Sequence, residues 1–255
     1  MQPSTQLSPL RGVGEVAADE AGPELARTYA RLHRALGVAF VPTVYRMLGR
    51  WPGYLAAATD ALAPALASES AERFAAAARA RAVAVELPGS PIDAGPSAPE
   101  ILALLERYNT ANPRSLLFAS ALAPGALPPG GLMEPEAISS TEPADAAALL
   151  EEIRTRHGGF VLPGVWRELA GRPAVARAAW REVRPLARIP AFHDARAAIR
   201  ELAIAQTAAV AAPELAERHV AREDRADLER IVSWFAHGIP AVLVEIEHLR
   251  RLIKS

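Results

Sequence analysis

Apolar residues recur along this chain at spacings of three and four, in runs that stop and restart at prolines. "LARTYARLHRAL", "AERFAAAARARAVAV" and "LERYNTANPRSLLFASAL" read as amphipathic or alanine-rich helices. Proline suits the first turn of a helix, where its missing N–H is not needed and its fixed φ is already helical. Pro23, Pro42, Pro52, Pro99, Pro113, Pro163, Pro173, Pro190, Pro213 and Pro240 each precede such a run, which predicts helix starts at all of them. No comparable run alternates β-branched and polar residues. The expectation is an all-α protein of about a dozen helices, many of them short.

The pattern is written twice. "PTVYRMLGRWP" (42–52) returns as "PGVWRELAGRP" (163–173), an offset of 121 that pairs Val44 with Val165, Tyr45 with Trp166, Arg46 with Arg167, and Pro52 with Pro173. The same offset pairs Gly37 with Gly158 and Pro64 with Pro185. Later the offset moves to 127, pairing Tyr108 with Phe235, Pro113 with Pro240, and Leu116 with Leu243, as an insertion in a loop would do. A period this long exceeds the roughly 20 to 50 residues of solenoid repeats and points to a duplicated domain. The predicted organisation is an N-terminal extension (1–22), a first helical repeat (23–122), a Pro/Gly-rich linker (123–144) and a second repeat (145–255). Two such halves are expected to face each other as a pseudo-dimer about a central cleft, and ligand pockets favour interfaces of that kind.

Composition narrows the chemistry. The 255 residues carry a net charge of -1 with both signs interspersed, which offers no sustained positive field to a nucleic acid. No stretch approaches the 18 to 20 apolar residues of a membrane span, and the N-terminal stretch does not read as a signal peptide, so the expectation is a cytoplasmic protein. There is no cysteine, hence no disulfide, thiolate nucleophile or thiolate metal site. The only lysine, Lys254, stands beside the C-terminus, away from any pocket that could depress its pKa. The six histidines form no HxxxH or HExxH, and GxSxG, GxxxxGK[ST] and GxGxxG are missing. No cofactor or metal is called for. The expected partner is a small organic molecule, with a homodimer left open.

Few residues could carry chemistry. The chain has two asparagines, Asn109 and Asn112. Asn112 precedes Pro113, which places it at a helix N-cap, either satisfying a backbone N–H or presenting its amide to a carboxylate or water in the cleft. His157, in "TRHGGF", can titrate near neutrality and lies on the loop entering the second repeated helix. His237, in "FAHGIP", sits beside the counterpart of the asparagine segment. Glu168, one helical turn after Val165, corresponds to Met47. On the apolar side of its helix it would be partly desolvated, with a raised pKa useful for acid–base work; the alternative is an ion pair with Arg167 or Arg172.

"ARTYARLHRALGVAFVPTVYRMLGRWPGYLAA", "LERYNTANPRSLLFASAL" and "RHGGFVLPGVWRELAGRPAV" together resemble the group I 2-haloacid dehalogenases, the DehI family, over most of the chain and most strongly in "WPGYL" and "NPR". The resemblance implies an all-helical fold whose two related halves enclose one active site. It also implies hydrolytic removal of halide from a 2-haloalkanoic acid by a water that an aspartate activates, with no covalent intermediate. The family asparagine matches Asn112, and a wall aromatic, usually Trp, matches Phe40. A second wall aromatic falls at Thr43, a tyrosine at Ser115, and the catalytic Ser-Asp pair at Gly164 and Val165. Valine accepts no proton, so the family's water-activating group is replaced. The resemblance and the residues together suggest a protein that binds a largely apolar small molecule, an acid among the candidates, between its repeats. It would act by acid–base or other non-hydrolytic chemistry through Asn112, His157 and Glu168. Hydrolytic dehalogenation through Glu168 and non-catalytic binding are the alternatives.

Overall fold

A computed structural model describes residues 14–123, 143–210, 212 and 214–254. The chain is all-α. The first set of helices is α1 (Pro23–Leu36), α2 (Thr43–Leu48), α3 (Pro52–Leu66), α4 (Glu69–Val83) and α5 (Ala98–Leu122). The second is α6 (Ala146–Arg156), α7 (Gly164–Leu169), α8 (Pro173–Val183), α9 (Pro190–Thr207), the short α10 (Leu215–His219) and α11 (Arg225–Leu252). One two-residue parallel pair, β1 (Ile92–Asp93) with β2 (Ile253–Lys254), ties the approach to α5 to the end of α11.

The helix starts recur with the offsets read from the prolines. α2 and α7, α3 and α8, and α4 and α9 begin 121 residues apart, and α5 and α11 begin 127 apart. The shift falls between α9 and α11, where α10 lies. Local chemistry explains the matching ends. α1 closes on Gly37 at φ 70, a left-handed conformation that glycine adopts without a Cβ clash, and its N–H returns to the His33 carbonyl. Gly158, at φ 89, is likewise left-handed, one residue after the His157 cap of α6. Pro42 and Pro163 are the extended N-cap residues of the six-residue α2 and α7.

Some prolines act differently from the starts assigned to them. Pro113 and Pro240 lie inside α5 and α11. An interior proline removes one helical hydrogen bond and crowds the preceding turn, at a cost of about 3 kcal/mol. Both are buried in the long helices that form the centre of the molecule, where packing outweighs that cost. Pro213 falls outside the described residues, as do 124–142 of the expected linker and 1–13 of the extension. Pro64 sits in the last turn of α3, whereas its counterpart Pro185 follows α8 and opens a 3-10 turn, Arg184–Arg188.

The core runs through both sets of helices. α5 and α11 pack along each other, α9 lies against both, and α4 bridges α5 and α9. Tyr45 and Trp166, paired by the offset, are fully buried, and each meets an aromatic edge-on: Tyr45 with Phe118 at 4.9 Å and Trp166 with Trp180 at 5.3 Å between ring centroids. No helix among the described residues is long and apolar enough to cross a membrane.

Candidate functional site

α2 and α7 are short because each lies between two prolines: Pro42 and Pro163 start them, and Trp51 and Arg172, each preceding a proline, leave the helical conformation. Their N-termini converge on α5 and α11 around a pocket with about 440 Å³ of empty space, part of it open to solvent. Its lining is paired by the repeat. Pro42, Thr43 and Val44 stand on one side, with Pro163, Gly164 and Val165 as their counterparts at offset 121. From the long helices come Tyr108, Asn112 and Ser115 of α5 and their counterparts at offset 127, Phe235, Ile239 and Val242 of α11. Trp234 and Gly238 complete the wall.

The pairs are matched in position and opposed in polarity. Thr43, Tyr108, Asn112 and Ser115 face the pocket from the first set of helices; the second presents Gly164, Phe235, Ile239 and Val242 at the same places. One wall can hydrogen-bond and the other cannot. Asn112 Nδ2 is buried and without a hydrogen-bond partner, whereas the buried Ser115 hydroxyl interacts with the Tyr45 hydroxyl. A buried polar atom left unpaired costs about 1 to 3 kcal/mol, so the Asn112 amide is a group that a bound ligand or water would satisfy.

Tyr108 is the polar residue that the sequence reading missed. Its hydroxyl donates to Glu168 Oε1 at 2.7 Å, while Glu168 Oε2 accepts from Arg107 at 2.6 Å. The phenol crosses directly over Gly164: a Cβ there would stand 2.6 Å from the Tyr108 hydroxyl. Phe40 backs the tyrosine ring at 5.1 Å between centroids, and the Arg107 guanidinium lies over Phe40 at 5.6 Å. Burial, then the hydrogen bond and charge of Glu168, hold the Tyr108 phenol well above its ordinary range. It is therefore a neutral hydrogen-bonding group that moves a proton only in concert with its partner.

Five sequence candidates, Thr43, Asn112, Ser115, Gly164 and Val165, line this pocket together. Asn112 reaches it from the interior of α5 instead of an N-cap, because the helix continues through Pro113. Glu168 is 42% exposed at the side chain instead of lying on the apolar face, which Val165, Trp166 and Leu169 occupy. It pairs with Arg107 and not with Arg167 or Arg172, which bind Glu15 and Glu100. It reaches the pocket only through Tyr108.

The two histidines lie apart from the lining. His157 opens the connection from α6 to α7, where it caps the end of α6 and is fully buried. Its Nδ1 meets the Ile153 carbonyl at 2.8 Å and its Nε2 meets Glu245 Oε2 at 3.1 Å. The same Glu245 oxygen accepts from Trp166 Nε1 at 3.2 Å. Burial alone would push the Glu245 carboxyl up, but His157, Trp166 and the nearby Arg156 outweigh it and hold the carboxyl below its ordinary value. Glu245 occupies the position that the offset assigns to Phe118, so a carboxylate hydrogen-bonded by Trp166 stands where the first half has the aromatic partner of Tyr45. His237 is half-buried, bonded at Nδ1 to the Ser233 carbonyl at 2.9 Å, with burial depressing its pKa.

The missed residues had a readable signal. Tyr108, Asn112 and Ser115 are spaced i, i+4, i+7, as are Phe235, Ile239 and Val242, so each trio shares one helix face. Reading Pro113 and Pro240 as helix starts cut both faces in two.

No protein-family model matches the chain, and no curated protein matches it. Solved structures do. D-2-haloacid dehalogenase in complex with L-LA is similar at a TM-score of 0.80 and 17% identity, over 96% of this chain and 98% of that chain. A mutant of D-2-haloacid dehalogenase with D-2-CPA is similar at a TM-score of 0.78 and 17% identity, over 96% and 97%. Identity this low speaks for the fold: the chain has the all-helical fold of D-2-haloacid dehalogenase along nearly its whole length.

Proposed function

We propose that this protein binds a small, largely apolar organic molecule between its two helical repeats, and exchanges a proton with it through Tyr108 and Glu168. The observation that carries the reading is the opposed polarity of the paired walls. Phe235, Ile239 and Val242 would hold the ligand's apolar body, while the unpartnered Asn112 Nδ2 would take its polar end. A carbonyl or hydroxyl oxygen suits that end, since Asn112 Nδ2 supplies a donor.

The proton path is short. A proton leaving the ligand would bind the Tyr108 oxygen as the tyrosine's own proton crosses the 2.7 Å hydrogen bond to Glu168 Oε1. The ligand ends as its conjugate base and Glu168 as the carboxylic acid; the reverse transfer returns the proton. Asn112 would stabilise charge growing on the ligand oxygen. His157 has no part in this path, since both its ring nitrogens are engaged away from the pocket.

A second reading is favoured by one contact. The Tyr108 hydroxyl stands over Gly164, beside Val165, the two positions that the dehalogenase resemblance gives to its Ser-Asp pair. Taking the proton from a water instead of the ligand, the same relay would serve hydrolytic dehalogenation.

Thermal-shift screening of small acids and their neutral amides finds the ligand class, and proton NMR in D₂O follows exchange of the bound ligand's α-hydrogen. Binding with exchange that Tyr108→Phe and Glu168→Gln abolish supports the first reading. Chloride release from 2-chloropropionate, lost in the same variants, replaces it with the second. Binding without either reaction makes the protein a non-catalytic binder.

A further inference from the structure

Beyond the pocket lining, the segment that precedes α1 crosses both repeats. Tyr29 of α1 donates its hydroxyl to the Val16 carbonyl at 2.9 Å, and Val16 donates its own N–H to the Arg46 carbonyl at 2.9 Å. Tyr29 can reach because Gly49 has no Cβ; one there would stand 2.5 Å from the phenol oxygen. These contacts deliver Glu15 to two arginines. Arg167 of α7 grips it with both ends of its fork, Nη2 to Oε1 at 2.6 Å and Nη1 to Oε2 at 3.0 Å. Arg46 of α2 reaches Oε2 from the other side at 3.0 Å.

Arg46 and Arg167 are counterparts in the repeat, one turn beyond the pocket-lining residues Thr43 and Gly164. Arg46 Nη2 also lies 3.3 Å from Thr43 Oγ1. A carboxylate is therefore already bound between paired guanidinium groups beside the pocket, and it belongs to the chain. The site is not saturated by it: Arg46 Nε is buried and has no hydrogen-bond partner. The three side chains are a quarter to two-fifths exposed, so the site is open to exchange. Planar guanidinium forks match carboxylate geometry better than any other side chain.

We infer that Arg46 and Arg167 form a carboxylate-binding subsite on the rim of the pocket, held in the free protein by Glu15 as an internal competitor. The inference rests on the pocket reading above and deepens it: the preferred ligand is an organic acid whose apolar body enters the pocket while its carboxylate replaces that of Glu15. The N-terminal segment then loses its ionic anchor when the acid binds, and keeps it when a neutral ligand binds.

Calorimetric titration of the full chain with 2-chloropropionate and with 2-chloropropionamide tests this. Glu15→Gln removes the competing charge and keeps the side-chain shape, so it should tighten the acid by about tenfold, the equivalent of one charge-assisted hydrogen bond. The amide should bind both proteins alike. Adding Arg46→Gln or Arg167→Gln to the Glu15→Gln protein should remove the gain. An acid affinity unchanged or weakened by Glu15→Gln overturns the inference. If the amide still binds in that case, the pocket reading survives alone; if neither compound binds any of the proteins, both fall. Glu15→Asp, one methylene shorter and still charged, gives a gain of the same sign should the glutamine variant not fold.

Discussion

Gly164→Ala is a one-carbon perturbation whose sign the structure decides. The backbone would accept alanine, since Gly164 is the first residue of α7 and does not have a positive φ. Alanine is favoured over glycine by up to about 1 kcal/mol in a helix interior and by less at a first position. Against this, the new Cβ would lie 2.6 Å from the Tyr108 hydroxyl, 3.1 Å from Cε1 and 3.2 Å from Cζ. Tyr108 cannot simply withdraw: it is 7% exposed, backed by Phe40 and held by Glu168. Overpacking of this kind costs about 1 to 3 kcal/mol, so the clash outweighs the propensity. The expected result is a net loss of about 1 to 2 kcal/mol, a fall in Tm of roughly 2 to 8 °C for a chain of this size.

The mechanism is checked by adding Tyr108→Phe. On its own it loses a hydrogen bond to a half-exposed carboxylate, about 0.5 to 1.5 kcal/mol. In the Gly164→Ala background it also removes the atom at 2.6 Å and leaves contacts above 3 Å, which a shift of a few tenths of an ångström relieves. Urea denaturation of the four proteins should give a double variant more stable than the sum of the singles by about 1 kcal/mol or more. Additivity within about 0.5 kcal/mol, or a Gly164→Ala protein at least as stable as its parent, refutes the claim that the phenol is fixed over Gly164.

Other outcomes follow from the same geometry. Ser115→Ala removes the partner of the buried Tyr45 hydroxyl, so it should cost the free protein about 1 to 3 kcal/mol, while leaving the thermal shift produced by a bound acid in place. Denaturation with and without ligand separates these effects. Glu245→Ala should cost about 3 to 5 kcal/mol by leaving His157 and Trp166 facing an unpaired site. The Glu245 carboxyl is held below its ordinary value, so its stabilisation is present above the unfolded pKa of about 4.3 and is lost as pH falls through the folded value. The stability gap between parent and Glu245→Gln should therefore narrow from pH 7 to pH 3, and an equal gap at both would contradict that assignment. Arg107→Gln should leave ligand binding in place but slow any Tyr108-dependent exchange, because it frees Glu168 from its outer partner.

The helical class and the order of elements were legible because both depend on local rules. Proline preference for first turns, glycine at Gly37 and Gly158, and apolar spacing act within a few residues, so helix starts recur at the offsets written in the sequence. The same rules misled where packing overrode them. Pro113 and Pro240 looked like starts, yet α5 and α11 run through both because the buried contact of the two long helices compensates an interior proline. That single difference moved Asn112 from a cap to a helix face and hid Tyr108 beside it. Glu168 was expected either to face inward or to pair with Arg167 or Arg172; its outward position on α7 and the arrival of Arg107 and Tyr108 from α5 are facts of the assembled helices.

The sequence by itself therefore determined most helical segments and the fixed offsets at which their starts recur, and the dehalogenase resemblance is what drew Thr43, Asn112, Ser115, Gly164 and Val165 together. Tertiary structure alone decided that Thr43, Tyr108, Asn112 and Ser115 meet Gly164, Phe235, Ile239 and Val242 around one pocket. It also decided that His157 is locked to Glu245, and that Glu15 lies between Arg46 and Arg167. Helix propensity is set by neighbours along the chain. Which unlike residues meet across 60 to 150 positions is set by how the helices pack, and no periodicity encodes it.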